Sequence, residues 1–343
     1  MIEPRRWILG IADDLTGALE AGAKFAGQGL GARVTTDIAV SGPPDVPVLV
    51  IDTETRHSAA EDARAVVREA AESALRFAPW LVYKKTDSTL RGNIAAEFRS
   101  LMELMPRRSL VYAPSYPEMG RTVRRGRLFV GESPVHESAF ASDPLDPVRE
   151  SDIRVLLRGV PATVLDGESN ADVFAAATKI AALDPPPLAA GPAALAGALA
   201  QCLPSLCRGE VRVLPRLPRC LVINGSLHPA SAAQIAFART ERCFEGGWRY
   251  FDDDPEVAGL HRAGQTGECV RRLIETSPVD ALVVFGGDTA FGIHCALGGQ
   301  PLEVWGEVLP GVPVARGGDL FWVTKAGGFG APDTLCNIRR ALT

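Results

Sequence analysis

The stretch YKKTDSTLRGN, residues 83–93, sets Lys84, Lys85, Thr86, Asp87, Ser88 and Arg91 directly behind the apolar run 80–83. Carboxylates accept hydrogen bonds from sugar-like hydroxyls, while lysine and arginine bind carboxylates and phosphates. A second turn, ADDLTGA at 12–18, puts Asp13 and Asp14 at the start of an apolar-periodic segment. One of these carboxylates suffices to cap a helix, which leaves the other for a hydroxyl. A third, DTETRHS at 52–58, adds Arg56, whose forked guanidinium suits an acid. Taken singly, each charge reads more readily as surface decoration. Taken together at strand ends, acceptors at 13, 14 and 87 and cations at 56, 84, 85 and 91 describe a site for a polyhydroxy acid.

Another set of residues fits phosphate. Three apolar strands run into glycine turns: Cys220–Ile223 into NGSLHPAS, Ala281–Phe285 into GGDTA, and Leu320–Thr324 into KAGGFG. A turn that opens a helix exposes unpaired amides at the positive end of the helix dipole, and glycine lets an anion approach them. Ser226, Gly286, Gly287, Asp288, Thr289, Lys325, Gly327, Gly328 and Gly330 are therefore candidates for a nucleotide site. Asp288 reads as a Mg²⁺ contact, as a base on a hydroxyl, or as a plain N-cap; Lys325 reads as a phosphate partner or as a solvated lysine. Neither G-x-x-x-x-G-K-[ST] nor a clean G-x-G-x-x-G after the first strand occurs, which argues against a Walker-type NTPase and a standard dinucleotide fold.

The elements that must position these groups alternate short apolar runs with longer amphipathic ones, the pattern of α/β layering. Strands are expected at Trp7–Ala12, Val48–Ile51, Leu81–Tyr83 and Leu110–Ala113, and helices at Leu15–Gln28, Ala59–Arg76 and Ala193–Leu203. Residues 116–149, rich in Pro, Gly and Arg, read as a long loop or small hairpin. The proline-marked stretch 204–219 separates two α/β domains with mostly parallel sheets, 1–207 for the sugar acid and 208–343 for the nucleotide.

A 343-residue chain with 46% hydrophobic and 22% charged residues, a net charge of −5 and a pI near 5.7 is suited to small molecules rather than to nucleic acid or an anionic membrane. Asp13 and Asp14 cut the first apolar run too short for a signal-peptide core, and no other run reaches membrane length. Seven cysteines without a CxxC pair read as reduced, mostly buried thiols, so the cytoplasm is the expected compartment. Five histidines never pair at metal-ligand spacing, although His136, within the loop, stands apart. Arg121, Arg124, Arg125 and Arg127 read first as solvated.

The stretches IADDLTGALEAG, KKTDSTLRGNIAAEF, APSYPEMGRTVRRGRLFV, PVHESAF, DPLDPVRES, NGSLHPASAAQI, VVFGGDTAFGI, LPGVP and VTKAGGFG give the sequence a resemblance to the four-carbon acid sugar kinase family, from residue 11 to 330. That resemblance implies phosphorylation of a tetronate (threonate, erythronate or 3-oxo-tetronate) with Mg·ATP, the two substrates meeting in a cleft between the domains. It assigns Asp13, Asp14, Arg56, Lys84 to Ser88 and Arg91 to the acid, and Ser226, Gly286 to Thr289, Gly327, Gly328 and Gly330 to the nucleotide. Asp14, Asp87 and Asp288 are the candidates for the proton acceptor. The chain is shorter than the family norm between Ala236 and Thr266. A sugar-acid sensor without turnover and a nicotinamide-dependent dehydrogenase are the alternative readings, and a homodimer is neither required nor excluded.

Overall fold

The structure, a computed structural model, describes residues 6–143, 145–203, 206, 208–251 and 260–343. The chain divides into two compact units, Met1–Gly209 and Glu210–Thr343.

Unit 1 carries a seven-stranded parallel sheet in the order β2-β3-β1-β4-β10-β5-β9. The strands are β1 (Ile8–Ala12), β2 (Ala32–Thr35), β3 (Val48–Asp52), β4 (Leu81–Lys85), β5 (Leu110–Tyr112), β9 (Ala162–Val164) and β10 (Leu188–Gly191). The inner strands β1, β3 and β4 are buried at every position, as expected where helices cover both faces of a parallel sheet. Helices α1 (Leu15–Ala26), α2 (Ala60–Leu75), α3 (Ile94–Leu104), α4 (Ile153–Leu157), α5 (Asn170–Ala181) and α6 (Ala193–Cys202) complete the layers. Leu9, Ile11, Ile51, Val67, Val82, Phe98 and Leu101 form one core between sheet and helices. Because the chain leaves β1 toward β2 and β3 on one side and reaches β4 on the other, the order reverses at β1. Ligands of open α/β sheets bind at such a switch point. The turns after β1, β3 and β4 therefore share one edge.

The segment expected as a loop or hairpin is a small antiparallel sheet: β6 (Arg121–Arg124), β7 (Arg127–Val130) and β8 (Ser133–Pro134). Its tight turn places Arg125 at φ 53° and Gly126 at φ 74°, the two left-handed residues that a two-residue hairpin requires.

Unit 2 orders its strands β12-β11-β13-β16-β15-β14. β11 (Cys220–Asn224), β12 (Trp248–Phe251), β13 (Ala281–Phe285) and β16 (Leu320–Lys325) are parallel, and β14 (Leu302–Leu309) with β15 (Val312–Gly317) form an antiparallel edge. The helices are α7 (Pro229–Thr240), α8 (Leu260–Thr276), α9 (Gly287–Ala296) and α10 (Thr334–Leu342). Val222, Ile235, Trp248, Val283, Phe285, Leu335 and Ile338 make its core. The segment 236–266, where the shortfall against the family is expected, includes 252–259, which lie outside the described residues.

The expectation of reduced, mostly buried cysteines is corrected. Cys243 and Cys336 form a disulfide, with Cα atoms 6.1 Å apart, and Cys269 and Cys295 are exposed. Arg339 of α10 donates to the carbonyls of Arg242 and Glu245, both at 3.0 Å, and this docking brings together two cysteines 93 residues apart. Spacing alone carries no trace of that contact. Among the described residues no helix is long and apolar enough to cross a membrane.

Candidate active site

Unit 1 gathers its polar groups at the switch point. Asp14 is the N-cap of α1 and accepts from the Gly17 amide at 3.1 Å. A β-carbon at Gly17 would stand 2.6 Å from the Lys85 ammonium and would also strike the Asp14 carboxylate, so a larger residue there would displace both groups. Arg56 forks between the two aspartates: Nε donates to Asp13 at 2.8 Å and Nη2 to Asp14 at 2.6 Å, while Asp87 lies 3.9 Å away. Arg91 in turn forks onto Asp87, with Nη2 at 2.8 Å and Nε at 3.1 Å, and its Nη1 reaches Asp143 at 3.1 Å. Of the acids and bases named from sequence, Asp13, Asp14, Arg56, Asp87 and Arg91 are thus one interlocked group. Asp13, Asp14, Lys84, Lys85 and Asp87 are buried, and none of them is surface decoration.

Lys84 stands apart from this group in one respect. Fully buried, it pairs with Glu97 at 3.0 Å and donates to the Lys85 carbonyl at 2.8 Å. Glu97 also accepts from Thr55 at 2.6 Å, and Thr55 meets Thr53 at 2.9 Å. Lys84 therefore sits behind the site, ties α3 to β4, and adds positive charge near Asp13. Thr86 packs by Tyr112, their hydroxyls 3.5 Å apart, and Ser88 is half-buried at the same turn. A cavity of about 340 Å³ opens beside the group, lined by Arg56, Ser58, Arg91, Asn93, Asp146 and Arg149 among others.

Charge pairing sets the protonation of these acids. Burial alone would raise Asp87, but Arg91 and Arg56 outweigh it and hold the carboxyl well below the usual range. Asp13 is lowered in the same way, burial opposing Arg56, Lys84 and Lys85. Asp52, at the end of β3, is the opposite case: burial, then Glu54 and Asp14, push it well above the usual value. Because Asp87 has a depressed pKa in the folded state, its stabilisation is present above the unfolded value near 3.8 and is lost as pH falls through the folded value. Asp87→Asn should accordingly lower stability at pH 7 by about 3–5 kcal/mol, the cost of breaking a buried pair. The gap to the native protein should close progressively below about pH 4. Denaturant melts at pH 7, 4 and 3 measure this; a gap that is constant with pH contradicts it.

In unit 2 the three glycine turns converge. The N-cap of α9 is Gly286, at φ 108°, and it offers no side-chain cap to the first turn of the helix. Asp288 is the second residue of the helix, in its first turn, rather than its cap. A β-carbon at Gly286 would lie 3.4 Å from the Ser226 amide, one at Gly327 would strike the Ser226 hydroxyl, and one at Gly225 would strike Thr289. His228, not foreseen as a cap, accepts from the Ala230 amide at 3.1 Å and starts α7. The third turn does not open its helix directly: α10 begins at Thr334, and Gly327 to Gly330 form a loop that Ser231 and Gln234 hold by the Gly327 and Phe329 carbonyls, at 2.7 and 2.9 Å.

Lys325 is neither solvated nor turned to open solvent. It is buried over the Phe285 ring, 4.6 Å from its centre, and donates to the carbonyls of Ala326 at 2.7 Å and Phe329 at 2.6 Å. Burial pulls its pKa down to about 7. Its visible work is to fix the glycine loop.

The sequence reading missed Asp52, Glu97, Thr55 and Asp143. It also placed Arg121 in water, whereas that side chain is half-buried over Phe140. The stretches IAAEF and DPLDPVRES carried the only hint of Glu97 and Asp143.

Comparison with known proteins finds a family model in each unit. A sugar-binding N-terminal domain matches residues 8–160, and a nucleotide-binding C-terminal domain matches 253–335. A D-threonate kinase of Bordetella bronchiseptica is 31% identical over 398 aligned positions, covering 97% of this chain and 96% of that protein. A 3-oxo-tetronate kinase of Burkholderia multivorans is 27% identical, covering 97% and 96%. Among solved structures, a Salmonella typhimurium protein titled a putative tRNA synthase shares the fold at TM-score 0.76 and 20% identity, over 98% and 99% of the two chains. A Bordetella bronchiseptica domain, titled a domain-swapped dimer with bound citrate, reaches TM-score 0.55 at 29% identity over 98% of each chain. Fold and matches together define a two-domain α/β protein that joins a sugar-binding unit to a nucleotide-binding unit. The chain belongs to the four-carbon acid sugar kinase family.

Proposed function

We propose that this protein transfers the γ-phosphoryl group of ATP to the terminal hydroxyl of a four-carbon sugar acid. The observation that carries the reading is the interlocked group of Asp13, Asp14 and Asp87 with Arg56 and Arg91, at the switch point of the unit that matches a sugar-binding domain. Its carboxylates are acceptors for substrate hydroxyls, held in place by guanidinium forks, so little reorganisation is needed on binding. Arg56, and then Lys84 and Lys85, outweigh burial and hold the Asp13 carboxyl below its usual value.

Phosphoryl transfer needs an aligned hydroxyl and neutralised charge more than covalent help. The glycine-capped N-terminus of α9 and the loop at Gly327, Gly328 and Gly330 suit the phosphates of ATP, as turns in which a β-carbon would fill the space. Mg²⁺, when bound with the nucleotide, supplies further neutralisation of the β- and γ-phosphates. Asp288, half-buried in the first turn of α9, is the residue of this chain we assign to that ion or to the hydroxyl proton. Asp87 is a poor base because two arginines hold its pKa down, and Asp14 is spent on its cap and on Arg56. Asp288 is therefore the preferred proton acceptor. A supply of ATP places the enzyme in the cytoplasm.

The test is an ADP-release screen over the tetronate stereoisomers and 3-oxo-tetronate with Mg·ATP, with nicotinamide absorbance followed in parallel. ADP formation that requires one of these acids is expected. Thermal stabilisation by an acid without any ADP would indicate a sensor, and an acid-dependent change in nicotinamide absorbance would indicate a dehydrogenase.

A further inference from the structure

The cations of the unit 1 site are largely committed to carboxylates. Arg56 is shared by Asp13 and Asp14, Arg91 by Asp87 and Asp143, and Lys84 belongs to Glu97. An acid substrate arriving there meets guanidinium groups that are already balanced, next to three buried aspartates. It needs a cation whose charge is not yet answered.

Arg121, at the head of β6, has that character. Among the described residues no carboxylate stands within ion-pair distance of it. Its backbone is fixed by a reciprocal pair of hydrogen bonds with Tyr116, at 2.8 and 3.0 Å. Nη1 donates to the Met119 carbonyl, and the guanidinium carbon lies 5.7 Å from the centre of the Phe140 ring. The Arg91 guanidinium lies 5.6 Å from the centre of that same ring, so the two forks belong to one neighbourhood. The Nε of Arg121 is buried and meets no acceptor, and a stranded buried donor is both rare and costly. Burial lowers the pKa of Arg121, Asp87 draws it back up and Arg91 opposes that, yet a guanidinium stays charged at any physiological pH. A cation that is partly dehydrated, held over an aromatic face and short of an acceptor is preorganised for an anion. Lys85, buried beside Gly17 and Asp14, and Arg149, exposed on the rim of the cavity, are the competing cations; neither has the planar fork over an aromatic face with an unanswered donor that Arg121 has.

We propose that Arg121 grips the carboxylate of the substrate and so sets the preference for a four-carbon acid over the neutral polyol of the same length. The proposal rests on the sugar-acid kinase reading. Asp13, Asp14 and Asp87 then serve the hydroxyls, and Phe140 keeps the Arg121 fork in place.

The test combines titration calorimetry with D-threonate, D-erythronate, threitol and erythritol, and steady-state ADP release, on the native chain, Arg121→Gln, Arg121→Lys and Arg149→Gln. Arg121→Gln should weaken acid binding by about 10- to 100-fold, the worth of hydrogen bonds to a charged group. Polyol affinity and the KM for ATP should be unmoved, and Arg121→Lys should recover part of the loss at an unchanged melting temperature. Unchanged acid affinity in Arg121→Gln overturns the proposal. So does an equal loss for acid and polyol, or a loss confined to Arg149→Gln, or failure of the native chain to bind either acid. Acid binding that depends on Arg121 with no ADP formed would remove the kinase reading and leave the carboxylate grip standing.

Discussion

Arg56→Ala is expected to abolish saturation by the sugar acid and to lower kcat/KM by about 10³-fold or more, since removing one partner of a buried ion pair costs about 3–5 kcal/mol. The arginine is the only group that touches both Asp13 and Asp14 among the contacts described, at 2.8 and 2.6 Å, and it approaches Asp87 as well. Without it, two buried carboxylates lose the cation they share, and only Lys84 and Lys85 remain to oppose the burial of Asp13. Arg56→Lys should rescue only in part, because an ammonium lacks the planar fork that serves two carboxylates at once. Steady-state kinetics and melting curves of both variants check this. Native-like saturation in Arg56→Ala would mean that the acid binds elsewhere.

Asp288→Ala is expected to act on the other quantity. Loss of a positioned proton acceptor lowers kcat by about 10²–10⁴-fold. The affinity for the acid should stay as it is, because Asp288 lies in unit 2 and the acid-binding groups lie in unit 1. Calorimetry of acid binding and single-turnover rates separate the two effects. A change in acid affinity with kcat intact would assign Asp288 to binding instead.

Much of the site was legible because open α/β sheets concentrate chemistry at strand ends, and a strand end can be read from an apolar run that stops. Asp13, Asp14, Arg56, Asp87 and Arg91 all follow such runs, and the structure brings them into contact. What could not be read is which partner satisfies which charge. Lys84 and Lys85 are neighbours in sequence, yet alternation along β4 sends one into a buried pair with Glu97 and the other toward Gly17 and Asp14. How Lys325 is held could not be read either, because the ring that covers it comes from β13 and the carbonyls it meets from its own turn. Arg121 looked solvated because Phe140, which covers it, is 19 residues further on in an irregular segment.

The fold follows the same logic. Long hydrophobic strands such as β13 were bounded to the residue, whereas β2, β9, β10 and β12, of three or four residues each, carry too little pattern to stand out from loops. The antiparallel edge of β14 and β15 is hidden by glycine and proline in the strands themselves, at Gly306 and Pro313. The disulfide between Cys243 and Cys336 depends on the docking of α10, a tertiary contact that no spacing rule encodes.

The central claim is that one chain holds a four-carbon acid and ATP and moves a phosphoryl group between them. Phosphorus NMR of a reaction with Mg·ATP and a tetronate tests it most directly. One equivalent of a phosphomonoester on the terminal carbon per ADP released, absent without the acid, is the result predicted. ADP accompanied only by inorganic phosphate, or a bound acid that is returned unchanged with every tetronate, would contradict it.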